Sequence, residues 1–491
     1  MLFMEQQNHP ETAHQPIDRR PRKERRLEIL KLRRQKKKLE RKLKPFLLDA
    51  EFATPNVTAF GNFHLLETFK QAIDFKGLIS DHLSLEKGAN SVYPAEDVLD
   101  LLVDANALGR SRFEHTESLR FDPGYQNVKG IDRFPSEKVF RDFFGSMALD
   151  HLKELCEINR QLLDLRSRWE GPKEVWLDID STVVTVFGEQ EDAAKRYNPR
   201  YKGRLSFEIM ACFISGTKDL LYLDFCHPDH TPRSEFKEFF QTCESLLPSN
   251  YMLRDLRLDK GFFSEDNVAF IEQKHLEYDL KVPLYPNIRN WIEKLPEAEW
   301  EMRDDDMGFT RQRLLLDSWK HERHVDIRRL KIEKKTGQLA LPEAAFYRYE
   351  AVLTSQIENR PQDNLSWYDD RATCENHIKE LKHGFGADEL SQHEKLRNHA
   401  YALVKAIAYN LMNFFKTALL PEKQSRWTAQ TVRRKLLHLP GNILGRNRNR
   451  RVKLAANPFV EHILPKIQSR IQEFIWFVAN GFRLVKPELR L

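Results

Sequence analysis

The chain has 491 residues, 41% of them hydrophobic and 31% charged, enough to bury ordinary cores in about two to four units and too apolar for disorder throughout. Its 79 Lys and Arg against 73 Asp and Glu leave only +6, yet 15 basic and 4 acidic residues lie between Asp18 and Lys44, so positive charge is gathered in an N-terminal arm suited to a polyanion and the rest is mildly acidic. No apolar run reaches the ~18 residues of a membrane span, no leader-like segment opens the chain, and five scattered cysteines without a C-x-x-C pair exclude a disulfide framework or thiolate zinc site, so a soluble cytoplasmic protein is expected.

Residues 19 to 44 read as a highly charged helix with an incomplete stripe of Leu27, Leu30, Leu39 and Leu43, ended by Pro45. Helical periodicity continues through 51 to 170, with runs at Ala95 to Leu108 and Ser136 to Phe144, and a helix-turn-helix within 94 to 146 is one possible use of it. From Glu174 the pattern changes. Three strands in succession are expected: one ending in Leu177-Asp178-Ile179-Asp180, then Leu205 to Ile214 and Asp219 to Cys226. A helix from Pro232 to Leu247, a strand from Tyr251 to Leu258 that delivers Asp259, a helix from Ser264 to His275 and a strand from Tyr278 to Leu284 follow. That order predicts an α/β, RNase H-like core with a mixed sheet. Residues 286 to 355 read as a mostly β insertion, with strands Val325 to Glu333 and Phe346 to Thr354 around the turn residues Thr336-Gly337 and with Trp291, Trp300 and Trp319. A helical segment from Tyr368 to Lys382, a long amphipathic helix from Glu394 to Leu419 and a basic tail complete the chain.

Asp180 and Asp259 close strands that this topology places side by side, so their carboxylates can converge. Glu375 lies in Tyr368-x-x-Arg371-x-x-x-Glu375-x-x-x-x-x-x-Lys382, whose spacings put all four residues near one face of a continuous helix. Three convergent carboxylates are hard oxygen ligands suited to Mg²⁺ or Mn²⁺. Two such ions can activate an attacking oxygen and stabilise a leaving oxygen at a phosphodiester, with Arg371 and Lys382 placed for the DNA backbone. Asp178 shares a sheet face with Asp180 and serves as a supporting acid. Asp304-Asp305-Asp306 reads as a solvated loop, and His227 and His230 lack the further ligands a metal site needs.

The segments Leu177-Asp178-Ile179-Asp180-Ser181-Thr182 and Arg257-Leu258-Asp259-Lys260-Gly261-Phe262, with the Y-R-E-K element, resemble the bacterial insertion-sequence DDE transposases, the group called DDE transposase domain group 1. Thr431-Val432-Arg433-Arg434-Lys435-Leu436-Leu437 is similar to that group as well. The His227-to-Arg233 loop keeps a proline but lacks the expected glycine. The resemblance implies catalytic, metal-holding Asp180, Asp259 and Glu375, with Asp180 bridging two Mg²⁺ ions. It also implies DNA contacts by Tyr368, Arg371, Lys382, Arg433, Arg434 and Lys435, recognition of terminal inverted repeats, strand cleavage and transfer on double-stranded DNA, and a homodimer on that DNA. An insertion tryptophan would stack on an unpaired base. The nucleoid is the expected location. The expected organisation is a basic arm (1–50), a helical DNA-binding region (51–170), the core in two parts (171–285 and 356–420), the insertion (286–355) and a basic tail (421–491). Two alternatives remain: a haloacid dehalogenase-like phosphatase with Asp178 as nucleophile, and a catalytically silent DNA-binding protein derived from a transposase.

Overall fold

The computed structural model describes residues 21–46, 56–88, 91–196, 198, 201–332, 346–390, 392–445 and 450–481. The chain divides into two units, Met1–Thr54 and Pro55–Leu491. The described part of the first unit is helix α1 (Arg22–Leu43), followed by a tight turn at Lys44–Phe46, where Pro45 lacks a main-chain donor. No residue of α1 is buried, so its leucine stripe stays in solvent.

The second unit begins with helices that share one core: α2 (Phe63–Ala72), α3 (Ala95–Ala107), α4 (Pro123–Lys129) and α5 (Leu149–Glu170). Val98 to Ala107 of α3 are all buried, which corrects the helix-turn-helix expectation for this helix, since a groove reader must present its face to DNA. Polar groups within this core are paired. Lys129 Nζ lies 2.8 Å from Glu67, 2.5 Å from Asp100 and 2.9 Å from Asp104, and Lys70 pairs with the same two aspartates from the other side.

The sheet follows from alternation. In β1 (Lys173–Thr185), Val175, Leu177 and Ile179 point to one face and Trp176, Asp178 and Asp180 to the other. Strands β2 (Leu205–Ile214) and β3 (Asp219–Phe225) add antiparallel neighbours. After helix α6 (Pro232–Leu246), β4 (Tyr251–Leu258) pairs parallel to β1, and after α7 (Glu265–Gln273), β5 (Glu277–Lys281) pairs parallel to β4. The resulting order β3-β2-β1-β4-β5, with β2 alone reversed, is that of an RNase H-like core. The insertion extends this sheet. Its strands β6 (Met307–Leu314), β7 (Arg323–Ile332) and β8 (Phe346–Thr354) form an antiparallel set, and β8 pairs with β5, giving ten strands among the described residues. The turn expected at Thr336-Gly337 lies outside the described residues.

The segment expected as one helix from Tyr368 to Lys382 is two, α8 (Pro361–Asp369) and α9 (Ala372–Phe385). Helix α10 (Lys395–Leu419) then crosses the centre of the helical core, nearly all of it buried. The two polar residues that interrupt its apolar run are both satisfied: Lys405 Nζ donates to Gly386 O at 2.6 Å, and Asn410 Nδ2 donates to Asn159 Oδ1 and Leu220 O, each at 2.7 Å. No described helix is long and apolar enough to cross a membrane. The described residues after 421, a region expected as a tail, are folded. Strand Gly441–Leu444 pairs with Arg451–Leu454 and with Val57–Thr58, and α11 (Pro458–Ala479) sets Phe474 5.0 Å from Phe69 and 5.8 Å from Phe414, ring to ring.

Candidate active site

The parallel register pairs Asp178 with Arg257 and Ile179 with Leu258, so the next residues along the two strands are Asp180 and Asp259. Two carboxylates 79 positions apart are thereby set side by side by main-chain pairing alone. Asp180 is not at a strand end, as expected from sequence, since β1 runs on to Thr185 and pairs Asp180 with Ala211 of β2. It is only the pairing with β4 that ends there, and this opens the sheet edge at which Asp259 emerges before a short turn at Lys260–Phe262.

The third acid arrives from the α8–α9 joint. Between Asp369 and Ala372 the chain makes i, i+3 hydrogen bonds, from Arg371 N to Tyr368 O at 2.9 Å and from Cys374 N to Arg371 O at 2.8 Å, which break the helix axis. The continuous-helix reading is thereby corrected, although Tyr368 still lies against Arg371, ring centroid to guanidinium 5.6 Å. Arg371 sits at the break and its guanidinium reaches all three acids: Nη1 lies 3.2 Å from Asp180 Oδ2, and Nη2 lies 3.6 Å from Asp259 Oδ1 and 3.6 Å from Glu375 Oε1. Side-chain exposure climbs from 13% at Asp180 to 31% at Asp259 and 67% at Glu375, so the site has a fixed floor and an adjustable rim. Glu375 lies in the first turn of α9, where the helix N-terminus favours negative charge.

Burial pushes the Asp180 carboxyl up to about 6; Arg371 opposes this and the neighbouring charge of Asp259 adds to it. Among the described residues no three acidic, His or Cys side chains are gathered closely enough to hold a metal ion. The chemistry of the donors nevertheless fits a divalent cation. Each of three carboxylates from separate elements offers a hard oxygen to the Arg371 guanidinium, which supplies the positive charge between them.

Beneath this centre lies a second ion pair. Arg257 Nε and Nη2 donate to the two oxygens of Asp178 at 2.6 and 2.8 Å, and its remaining donors reach Trp367 O and Ser215 Oγ, both at 2.8 Å. Asp178 is 1% exposed and wholly engaged, which removes the nucleophile that the phosphatase reading requires. Arg257 is the residue that sequence reasoning missed. Its position two before Asp259, on the same strand face, was the available signal.

Other expected residues are distributed unevenly. Lys382 Nζ donates to Thr182 Oγ1 at 2.6 Å and to Val183 O at 3.0 Å, beside the acids. Tyr368 is buried and donates its hydroxyl to Leu258 O at 3.0 Å, so it holds the end of β4 and does not itself reach DNA, a correction of its expected role. Arg433 is also corrected. It is buried over Phe385, donating Nε to Ala107 O at 2.7 Å and Nη2 to Asn106 O at 2.8 Å, and thus ties α3 to the C-terminal region. Arg434 and Lys435 beside it are exposed. Asp304 Oδ1 caps a turn by accepting from Asp306 N and Met307 N, and His230 faces Glu235, so both remain apart from the acidic centre. Trp300 and Trp319 are buried under Arg329 and Arg323.

The family described as transposase DDE domain group 1 matches residues 44–476 of the chain. No curated protein matches it. A solved structure similar to this chain is the cryo-EM structure of a piggyBac transposase synaptic complex with hairpin DNA, at 12% identity over 86% of each chain with a TM-score of 0.38.

Proposed function

The chain belongs to the transposase DDE domain group 1 family, and from that premise we propose that it is a DNA transposase that binds the terminal inverted repeats of a mobile element and cleaves and rejoins DNA strands at Asp180, Asp259 and Glu375. The observation that carries this reading is the approach of these three acids, from β1, β4 and α9, to the single guanidinium of Arg371. Asp180, Asp259 and Glu375 would hold divalent magnesium, two ions with manganese as a substitute, and such ions when bound supply Lewis-acid activation of the attacking oxygen and charge stabilisation at the leaving oxygen.

The remaining work falls to the chain's own side chains, because phosphoryl transfer is governed by positioning and electrostatics. Asp180 is fixed by the sheet and by the Ser181 N–H, which donates to its Oδ1 at 2.8 Å. Asp259 is fixed through Tyr368, whose hydroxyl secures the preceding carbonyl. Arg371 screens the acids from one another and turns part of its positive charge toward a DNA phosphate. Lys382 uses two ammonium donors on β1 and keeps a third for the same backbone. Two ends have to be joined in one reaction, which calls for a dimer on DNA, and the chromosome-bearing nucleoid is the place of action.

The test is plasmid nicking with DNA that carries the sequences flanking the gene. Asp180→Ala, Asp259→Ala and Glu375→Ala are each expected to lose at least about a hundred-fold in nicking rate, while gel-shift affinity for the ends stays within a few-fold. Full nicking by any of the three variants overturns the assignment.

A further inference from the structure

Strand β1 does not stop at the acids. Beyond Thr185 it leads to Phe187, which is 72% exposed, an unusual position for a phenylalanine that follows a buried strand. The ring is held. Tyr201 meets it edge-on at 5.7 Å between centroids, and the Arg204 guanidinium lies 5.9 Å above it. The described residues on either side of Tyr201 are anchored as well. The buried Asn198 donates to Thr185 Oγ1 at 2.6 Å and accepts from Tyr201 N at 3.0 Å, and Arg196 donates to the carbonyls of His227 and His230.

Acids follow the ring on its own segment, at Glu189, Glu191 and Asp192, but the loop that faces it is cationic. From Ala193 to Phe207 the sequence contains no acidic residue. Lys195, Lys202 and Arg204 are exposed, and among the described residues none of them pairs with a carboxylate. A groove of about 620 Å³ is lined by Phe187 and Lys382, with Arg112 and Arg141 set against Glu114, Asp388 and Glu389, so it runs from the ring to the lysine that donates to β1 beside the acids. At ~3.3 Å per residue, Phe187 lies about 23 Å along the chain from Asp180, which corresponds to roughly six to seven stacked base steps.

We propose that Phe187, with Tyr201 and Arg204, is a stacking platform for an unpaired DNA base, and that Lys195 and Lys202 hold the phosphates of the same strand as it leaves the acidic centre. Exposed aromatic faces framed by cations suit bases whose faces are free, whereas the stacked interior of a duplex hides them. The inference rests on the transposase reading and adds to it a place for single-stranded DNA. It also shifts base stacking from the insertion tryptophans, of which Trp300 and Trp319 are buried, to the loop after β1.

The test uses the full chain and single-stranded DNA carrying 2-aminopurine at one position at a time, three to nine nucleotides from the expected scissile phosphate. Wild type and Phe187→Trp are expected to quench the probe near the middle of that range. Phe187→Ala is expected to lose the quenching and about ten-fold or more in single-strand affinity. A Lys195→Ala and Lys202→Ala double variant is expected to lower the slope of log K against log salt by about 1.4, the value for two single-strand contacts. If wild type nicks its ends and Phe187→Ala keeps both quenching and affinity, the platform is refuted while the transposase reading stands. If wild type quenches the probe but never nicks, the transposase reading fails and the platform survives. If Phe187→Ala changes only the sedimentation of the protein, the patch joins two copies and the proposal is overturned.

Discussion

Two arginines organise the acids in different ways, and the contrast is one of burial and of partner number. Arg257 spends its donors on Asp178 and two neutral oxygens in the interior, so the pair works as a fixed brace between β1 and β4. Arg371 instead shares its charge among three carboxylates at 3.2 to 3.6 Å, a looser arrangement able to admit a phosphate or a cation. Arg257→Met leaves a carboxylate at 1% exposure without its counter-charge. It is therefore expected to destabilise the fold by about 3–5 kcal/mol in urea unfolding, with much of that loss restored by adding Asp178→Leu. A loss under about 1 kcal/mol in the single variant would show that water reaches Asp178 and that the brace is weak. Sequence reasoning proposed Asp180, Asp259 and Glu375 as a set because acids after apolar runs and a spaced helical motif are local signals. It did not find Arg257, because its role depends on a register between strands whose paired residues are 79 positions apart.

Elements with strong period-two or period-3.6 patterns were legible nearly to the residue: Tyr251–Leu258, Phe346–Thr354 and the helix ending at Leu419 lie where alternation and amphipathicity predict. The break between α8 and α9 was not, since neither Gly nor Pro marks residues 369–372. The parallel pairing of β4 with β5 has a consequence in its buried acids. Asp279 of β5 is fully buried with neither carboxyl oxygen hydrogen-bonded, and Asp255 of β4 has one oxygen on Gln356 Nε2 at 2.7 Å and the other without a partner. Burial, aided by the charge of Glu277, pushes the Asp255 carboxyl up to about 7, and burial with Asp255 nearby pushes Asp279 well up also. A raised carboxyl keeps its proton in the folded chain after the unfolded chain has lost it, so stability is full below about pH 4 for these groups and falls as pH rises toward 7. Asp255 alone is expected to contribute a loss on the order of 4 kcal/mol across that range. Urea unfolding at pH 5 and pH 8 checks this. The wild type should be the less stable at pH 8, and Asp255→Asn should flatten the difference; equal pH dependence in the two proteins would mean that Asp255 is ionised throughout.

At the level of the whole molecule, charge is distributed unevenly between the two units. The unit Pro55–Leu491 is held by apolar cores and internally paired ions, such as the Lys129 cluster with Glu67, Asp100 and Asp104. Helix α1 is the opposite: none of its residues is buried, and the surrounding segment from Asp18 to Lys44 holds 15 basic against 4 acidic residues. A 22-residue helix spans about 33 Å, close to one turn of duplex DNA, so several of its cations can meet phosphates at once. Each such contact releases a condensed counterion and adds about 0.9 to the slope of log K against log salt. Deleting residues 19–44 is therefore expected to lower that slope for end DNA by several units, and to weaken binding most at low salt, where screening is least. Sequence preference should change little, because phosphate contacts are the same on every sequence. Fluorescence anisotropy across a salt series measures both quantities. A slope unchanged by the deletion would assign the arm no contact with DNA, and the exposed leucines of α1 would then point to a protein partner.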